Sequence, residues 1–337
     1  MSALGLDVGT YTLKAIVGKP GSKVKVERTA EVFNANSVAI PTDEGVQEKL
    51  TVQLDQFFND HSLPRTDVRL SLPESVASTK VIGIPPLSDA ELASAVGWQA
   101  EQHIPIPLEE LSLEYKVLSR PPRGDKSQQM QVLLVGVRKA IVGKYIDMFM
   151  NIGIEPTVLE TQSLSILRAM QFTAEDPATM VVTIGASTMD MFVVTGGQPA
   201  FVFSHMMGGT TLTKSLESSV GLDSKQAEQY KRTYGLNETQ FEGKIAAALQ
   251  PTVQTMVSEI QKAIQFHAHQ QPTKPVQKIL LNGGSAQLPG LVQFVTQQIG
   301  LEVLVAAPFA SAEGEIPQVN QQAFSVCMGL VMREWVQ

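Results

Sequence analysis

Two segments of the sequence share one pattern, and each opens one half of the chain. Residues 4–17 read LGLDVGTYTLKAIV and residues 180–193 read MVVTIGASTMDMFV. Each is an apolar run, a short turn of Gly, Ser and Thr, and a second alternating run, which is typical of a β-hairpin. Gly9 matches Gly185, and Thr12 matches Thr188. Because each copy continues through another turn into a third strand-like run, the repeat predicts a duplicated meander, one copy in each of two lobes.

The remainder of the chain alternates strand-like and helix-like segments. Ser88 and Glu91 form a capping box that begins a helix ending at His103. Strands are predicted at 111–118, 132–137, 157–159 and 276–281, and helices at 139–151, 161–171, 211–220, 224–234, 238–271, 288–299 and, amphipathic, 321–335. This alternation predicts an α/β fold. At 337 residues the chain is long enough for two lobes.

Composition excludes several classes of protein. The chain is 43% hydrophobic and 18% charged, which is ordinary for a globular protein, and its net charge of −7 comes without a long basic run. We therefore expect no nucleic-acid partner, since phosphate binding needs concentrated Lys and Arg. The single cysteine, Cys327, favours a reducing compartment. Without a signal-peptide pattern or an apolar run of about 20 residues, we expect a cytoplasmic protein that reaches a membrane only through a partner.

The first hairpin turn, Asp7–Thr12, has the residue types of a phosphate site. Gly9 lets the backbone approach an anion, and turn N–H groups with the hydroxyls of Thr10 and Thr12 can donate to it. Asp7, at a strand end, is placed to hold Mg²⁺ through water, and Lys14 can offset phosphate charge. A lone D-x-G-T segment is more often only a tight turn; two matched turns opening two halves favour the binding site.

The second turn, 183–188, keeps the glycine and the hydroxyls of Ser187 and Thr188, but Thr183 occupies the position of Asp7. The site is therefore predicted to have one carboxylate where a symmetric site would have two. From the strand alternation, Asp190 is expected to be a solvated surface charge. His267 and His269 are too poorly spaced for a shared metal and are expected to be exposed on a helix.

The two hairpins, together with LLNGGSAQLPGLVQFV at 280–295, resemble the actin/hexokinase/Hsp70 ATPase superfamily. The resemblance implies that Gly283 and Gly284 form the turn on the adenosine side. Gly208 and Gly209, followed by QAEQYK at 226–231, resemble the bacterial actin-like branch, which implies that Glu228 and Lys231 line the ribose and adenine pocket. Alone, that helix pattern is usually a surface ion pair. The turns and the resemblance together assign nucleotide binding to Asp7, Gly9, Thr10, Tyr11, Thr12, Lys14, Gly185, Ala186, Ser187, Thr188, Gly208, Gly209, Glu228, Lys231, Gly283, Gly284 and Ser285.

Within this superfamily the chain resembles the PilM family of type IV pilus assembly proteins over nearly its full length. The segments that carry the resemblance are GWQAEQHIPIPLEELSLEYKVL (97–118), VLLVGVRKAIVGKYIDMFMNIGIEPTVLE (132–160), GGTTLTKSLESSVGLDSKQAEQYKRTYGL (208–236) and NGGSAQLPGLVQFV (282–295). The cell-division actin FtsA is the alternative, because it too has a small subdomain inserted in the first lobe, but FtsA is longer and ends in a membrane-targeting helix. A sugar kinase is disfavoured, since no catalytic base with a substrate pocket is evident.

The resemblance implies a division into subdomains and a partner. The predicted units are the first-lobe core (1–75 and 156–175), an inserted subdomain (76–155), the second-lobe core (176–210 and 273–320), a helical subdomain (211–272) and a returning helix (321–337). The PilM family implies a groove between the first-lobe core and the insert that binds the cytosolic N-terminal tail of a PilN-like membrane protein. Contacts with other pilus assembly platform proteins and self-association are further expectations.

The resemblance also implies ATP and Mg²⁺ as ligands, with the residue that positions the attacking water in the segment 159–162. Either Glu160 or Gln162 can serve, and both can equally be residues of a helix N-terminus. Thr183 stands where the family usually has an acidic residue, which weakens the surroundings of a metal. We therefore expect ATP binding with slow or absent turnover.

Overall fold

The computed structural model describes residues 2–21, 23–122 and 128–333. Its strands are β1 (Ala3–Val8), β2 (Thr12–Lys19), β3 (Val24–Phe33), β4 (Val68–Leu72), β5 (Ala77–Ile84), β6 (Leu111–Ser119), β7 (Met130–Arg138), β8 (Pro156–Thr161), β9 (Thr179–Ile184), β10 (Met189–Thr195), β11 (Gln198–His205), β12 (Lys278–Asn282), β13 (Glu302–Val305) and β14 (Ala312–Gly314). Its helices are α1 (Glu44–Asp60), α2 (Asp89–His103), α3 (Lys139–Met150), α4 (Gln162–Met170), α5 (Gly209–Val220), α6 (Ser224–Tyr234), α7 (Lys244–Gln270), α8 (Leu291–Ile299) and α9 (Ser325–Val331), with 3-10 turns at Glu74–Val76, Phe241–Gly243 and Gln321–Phe324.

Two related sheets form the two lobes. The first-lobe sheet has the order β14-β3-β2-β1-β4-β8, and the second-lobe sheet has the order β11-β10-β9-β12-β13. In each, an antiparallel meander (β1-β2-β3 or β9-β10-β11) is extended by a strand parallel to its first member, β4 beside β1 and β12 beside β9. The duplicated meander that the sequence repeat predicts is confirmed.

Both sheets are covered on both faces. Every residue of β1 is buried, which explains why this strand reads as an apolar run rather than as an alternating one. Helices α4 and α9 lie where the lobes meet, and side chains from α4, α9, β9 and β10 form one shared cluster, with Ile166, Phe192 and Leu330 among its members. A Cβ on Gly329 would overlap the carbonyl of Ser165. A glycine is therefore what allows α9 to cross so close to α4.

A small insert interrupts the first lobe. The sheet β5-β7-β6 is covered by α2, whose N-terminus carries the capping box predicted at Ser88 and Glu91. The insert has its own apolar cluster, which includes Ile82, Leu92 and Val132. Helix α3 was included in the predicted insert, but its buried residues belong to the core of the first-lobe sheet. The loop between β6 and β7 was predicted at 120–129, and its residues 123–127 lie outside the described part of the chain.

The expected amphipathic helix at 321–335 is wrong in two respects. The segment begins as a 3-10 turn and continues as α9, which ends at Val331, and all residues of α9 are buried. A helix packed on every side needs no polar face. The buried guanidinium of Arg69 donates to the carbonyls of Leu330 and Val331 at 3.0 and 3.1 Å, which satisfies the end of the helix. Trp335 lies outside the described residues.

The expectation that His267 is exposed is also wrong. Helix α7 spans Lys244–Gln270 and packs its buried stripe into the second-lobe core. His267 continues that stripe, following Ile260 and Ala263 at helical spacing, and is 1% exposed. Its Nε2 lies 2.8 Å from the carbonyl oxygen of Lys274. His269, two positions further along, is exposed as predicted.

Candidate functional site

A cleft of about 960 Å³ lies between the lobes and collects almost all of the predicted site residues. Its volume is at the upper end of the range of about 300–1,000 Å³ typical of small-molecule sites. The predicted residues that line it are Asp7, Gly9, Thr10, Tyr11, Thr12, Lys14, Gln162, Gly185, Ala186, Ser187, Thr188, Gly209, Glu228, Lys231, Gly283, Gly284 and Ser285. Glu160 and Gly208 do not line it.

The two hairpin turns face one another across this cleft. Each is closed by the same backbone hydrogen bond, from Gly9 to Thr12 (3.0 Å) and from Gly185 to Thr188 (2.9 Å). The hydroxyl oxygens of Thr10 and Ser187 are 2.8 Å apart, so the turns touch.

The tips of these turns offer uncommitted donors. The N–H groups of Thr10 and Tyr11, and those of Ala186 and Ser187, have no acceptor among the residues that the structure describes. Tyr11 is exposed, the other three residues are half-buried, and all four line the cleft. Four free donors on two opposed turns are therefore suited to an anion.

Asp7 is the centre of a polar cluster at the end of β1. Its Oδ2 lies 3.6 Å from Nζ of Lys14, its partner on β2, and its Oδ1 accepts from Ser71 (3.1 Å) and from the side-chain amide of Gln162 (2.8 Å). Both Asp7 and Lys14 are buried. The cluster holds a carboxylate and an ammonium next to the first hairpin turn, with Gln162 reaching it from the start of α4.

Glu160 and Gln162, which the sequence could not separate, have different surroundings. Glu160 is 7% exposed and accepts hydrogen bonds from Arg168 (2.6 and 2.9 Å), Arg333 (2.6 Å) and Ser165 (2.5 Å). Successive side chains of a strand point to opposite faces, and Glu160 lies in β8 on the side away from the cleft. Its contacts tie α4 to the end of the chain, whereas Gln162 contacts Asp7.

The start of α5 is held against the second hairpin turn. The N–H groups of Gly209 and Thr210 donate to the carbonyls of Gly185 and Ala186, each at 2.8 Å. A Cβ on Gly208 would lie 2.5–2.7 Å from backbone atoms of Ala186 and Gly185. Gly208 does not line the cleft; instead, it allows the start of α5 to pack closely against the second hairpin turn.

Glu228 and Lys231 connect α6 to the start of α5. The Lys231 ammonium donates to Glu228 (2.5 Å), to the hydroxyl of Thr213 (3.0 Å) and to the carbonyl of Gly209 (3.0 Å). Burial lowers the pKa of Lys231, and the Glu228 carboxylate opposes that effect. The two residues are thus not a surface ion pair: Lys231 is buried, Glu228 is half-buried, and both belong to a network on the cleft wall.

Arg232 is a cleft residue that the sequence analysis missed. Its guanidinium lies 5.5 Å from the ring centre of Tyr11 in the other lobe, and it also pairs with Glu228 at 2.7 Å. A cation over an aromatic face is attracted to it. This contact joins α6 to the first hairpin turn across the cleft. The residue next to Lys231 gave no sequence signal, because the contact joins segments far apart in the chain.

The turn after β12 completes the cleft wall. Gly283 has φ +84°, which favours glycine, and a Cβ there would lie 2.6 Å from the carbonyl oxygen of Ile184. The Ser285 N–H donates to that same carbonyl at 3.2 Å. The predicted adenosine-side turn is thus packed directly on the strand that leads into the second hairpin turn.

Asp190 is not the solvated surface charge that the alternation predicts. It is 5% exposed and lines the cleft. Burial, with a smaller contribution from the Glu74 carboxylate, raises the pKa of Asp190 to about 6. Alternation misleads here because both faces of the second-lobe sheet are covered. Asp7 and Asp190 both line the cleft, as do Glu31 and Glu228.

Two similar sheets that enclose a cleft between duplicated hairpins define the two-lobed, actin-like ATPase fold. Comparison with solved structures agrees. The structure of ethanolamine utilization protein EutJ from Carboxydothermus hydrogenoformans matches with a TM-score of 0.56 at 16% identity, covering 98% of this chain and 89% of that one. MreB5 of Spiroplasma citri bound to AMPPNP matches with a TM-score of 0.57 at 12% identity, covering 97% and 94%.

The family follows from the sequence. The family model for type IV pilus assembly protein PilM matches residues 5–335, and the chain therefore belongs to that family. The structure of a PilM–PilN type IV pilus biogenesis complex matches with a TM-score of 0.83 at 22% identity, covering 98% of both chains. None of the helices in the described ranges is both long and apolar enough to traverse a membrane.

Proposed function

We propose that this protein is an ATP-binding scaffold of the type IV pilus assembly machinery, held at the inner membrane by a PilN-like partner. The observation that carries the nucleotide part is the pair of facing hairpin turns with four uncommitted N–H groups. These turns supply donors for phosphates, and Lys14 beside them supplies a positive charge. The wall formed by α6 and the turn after β12 leaves room for the adenosine.

The residues present fit a magnesium ion that arrives with the nucleotide. Across residues 2–21, 23–122 and 128–333, no three or more His, Cys, Asp or Glu side chains form a group able to hold a metal ion alone. Magnesium keeps most of its water and commonly takes one or two carboxylates plus substrate phosphates. Asp7 would hold it through water. When bound, the ion would neutralise phosphate charge.

We further propose that turnover is slow or absent. Hydrolysis needs a side chain that orients a water in line with the terminal phosphate. Gln162 is the candidate at the cleft, but its amide donates to Asp7 at 2.8 Å, so it is engaged elsewhere. A turnover number of about 1 per second or more, within the ordinary range of enzymes, would contradict this proposal.

ATP is expected to raise the melting temperature of the protein by about 4 °C at a concentration 100 times its dissociation constant. The reason is that binding only to the folded state stabilises it by mass action. Differential scanning fluorimetry with ATP, ADP and inorganic triphosphate measures the effect. Triphosphate, which lacks the adenosine, should stabilise less. The absence of a shift with any nucleotide would refute the nucleotide part of the proposal.

The partner is proposed to bind at the insert, in a groove shared with the first-lobe core. The insert exposes two large aromatic side chains, Trp98 (59%) and Tyr115 (39%). Exposed Trp and Tyr are frequent anchors at protein interfaces. An extended tail peptide can add main-chain hydrogen bonds to such anchors.

Trp98→Ser is expected to weaken binding of a PilN-like tail peptide about tenfold, the effect of losing one interface anchor. Isothermal titration with the synthetic peptide measures this, with and without ATP. Phe266→Ser, which changes an aromatic residue 42% exposed on α7 in the second lobe, is the matched control. If Trp98→Ser loses no more peptide affinity than Phe266→Ser, the peptide does not bind at Trp98. Equal peptide affinities with and without ATP would show that the nucleotide site and the peptide site are not coupled.

A further inference from the structure

Asn34 is a fully buried polar residue that directly follows β3 and packs against the first hairpin turn without lining the cleft. Its side-chain amide donates one hydrogen bond to the carbonyl of Gly9, at 2.8 Å, and one to the carbonyl of Val38, at 2.7 Å. Its side-chain oxygen accepts from the N–H of Asn36 at 3.0 Å. The orientation of the amide is fixed, because the opposite one would set an oxygen against two carbonyl oxygens.

The hydrogen bond to Gly9 sets the direction of a backbone donor. The peptide bond between Gly9 and Thr10 is trans, so the Gly9 carbonyl and the Thr10 N–H point in opposite directions. Asn34 holds that carbonyl, and the N–H therefore points away from Asn34. Thr10 lines the cleft, and its N–H has no acceptor among the residues that the structure describes. The backbone N–H of Asn34 also donates to the carbonyl of Tyr11 at 2.8 Å, which ties the turn a second time.

The second hairpin turn is held in the same way by a different donor. The carbonyl of Gly185 accepts from the backbone N–H of Gly209, at the start of α5, at 2.8 Å. The N–H of the same peptide group belongs to Ala186 and is again uncommitted within the described ranges. In the first lobe β3 leads into the loop 34–43 instead of a helix. The side chain of Asn34 thus occupies the place that the helix start has in the second lobe.

We propose that Asn34 is a positioning residue of the nucleotide site, which holds the Thr10 N–H in the direction that a phosphate oxygen needs. This inference rests on the proposed nucleotide function. Asn34 acts through the Gly9 carbonyl and does not itself touch the ligand. A donor that is oriented before the ligand arrives costs little to order on binding. The competing explanation is that Asn34 only shapes the loop after β3, through Val38 and Asn36.

Asn34→Asp tests this role by titration of ATP into the full chain at pH 8 and at pH 5. The substituted side chain has nearly the same size, but an ionised carboxylate has no proton to donate to Gly9. At pH 8 the affinity for ATP is expected to fall about tenfold or more, the effect of losing a hydrogen bond to a charged group. Burial raises the pKa of a carboxyl group. At pH 5 the neutral acid again offers a proton to the carbonyl, so the loss relative to the parent protein should shrink.

Asn36→Asp is the matched control for Asn34→Asp. It makes the same change two positions along the same loop, where the side chain donates to Gln53 and not to the hairpin turn. Both variants carry one added negative charge, so only the lost donor distinguishes them. Asn36→Asp is expected to bind ATP about as tightly as the parent protein at both pH values.

Asn34→Ala separates the lost donor from the added charge. It introduces no titrating group, so its loss of affinity should be equal at pH 8 and pH 5, and it decides the question if Asn34→Asp does not fold. The inference is overturned by a folded Asn34 variant that binds ATP as tightly as the parent at pH 8, or by an equal loss in Asn36→Asp. A loss in Asn34→Asp that is unchanged at pH 5 would assign Asn34 to the loop alone. If the parent protein binds neither ATP nor inorganic triphosphate, the proposed nucleotide function fails, and the positioning role fails with it.

Discussion

Gly208→Val is expected to weaken ATP binding about 100-fold or more, which is about 3 kcal/mol. Position 208 has extended backbone angles that valine adopts readily, so the effect is steric. The added Cβ would lie 2.5–2.7 Å from backbone atoms of Ala186 and Gly185. Relief requires α5 to move away, which breaks the hydrogen bonds from Gly209 and Thr210 and displaces the second hairpin turn.

Isothermal titration of ATP into Gly208→Val measures this loss, and the melting temperature without nucleotide shows whether the fold persists. Overpacking is expected to reduce the free energy of unfolding by about 1–3 kcal/mol. The matched control is Gly143→Ala in α3, where an added Cβ meets nothing within 4 Å. That change should raise stability by about 0.5–1 kcal/mol, since alanine favours a helix. A folded Gly208→Val protein that binds ATP as tightly as the parent would contradict the assignment of the second hairpin turn.

The two lobes were predictable because their pattern is local and repeated. Each hairpin turn sits between apolar strands within a few residues of Gly9 or Gly185, so the sequence itself places donors at a strand end. The capping box at Ser88 and Glu91 was predictable for the same reason. Local sequence patterns therefore predicted the two sheets and most of the residues that line the cleft.

Contacts between distant segments were not predictable from local pattern. Strand alternation predicts that Asp190 faces solvent because it assumes that one face of the sheet is exposed. Both faces of the second-lobe sheet are covered. Glu160 and Gln162 differ by two positions, and their roles separate only when Arg333 and Asp7 come near them from the ends of the chain. Arg232 reaches Tyr11 in the same way, across the cleft.

The surroundings of Glu160 predict a role in stability rather than in hydrolysis. Burial by itself raises the pKa of Glu160, but the hydrogen bonds and charge of Arg168, with Ser165 and Arg333, outweigh it and hold the pKa below the ordinary value of 4.5. A folded-state pKa below the unfolded value stabilises the protein above the unfolded value, and this stability is lost as the pH falls through the folded one. The ion-paired network should therefore weaken under acidic conditions.

Glu160→Gln is expected to lower the free energy of unfolding by about 2–4 kcal/mol at pH 7, because it leaves Arg168 and Arg333 without their carboxylate. The gap between variant and parent should narrow as the pH falls below 4.5, since the parent then protonates Glu160. Urea unfolding between pH 7 and pH 3 measures both effects.

Gln162→Ala is the matched comparison, two positions along the chain. It removes one hydrogen bond to Asp7 and should cost about 1 kcal/mol of stability with little dependence on pH over the same range. Any slow hydrolysis of ATP should be lost in Gln162→Ala and retained by Glu160→Gln below its melting temperature. The reverse result, a stable Glu160→Gln protein that has lost hydrolysis, would make Glu160 the residue that positions water, and it would require β8 to turn that side chain towards the cleft.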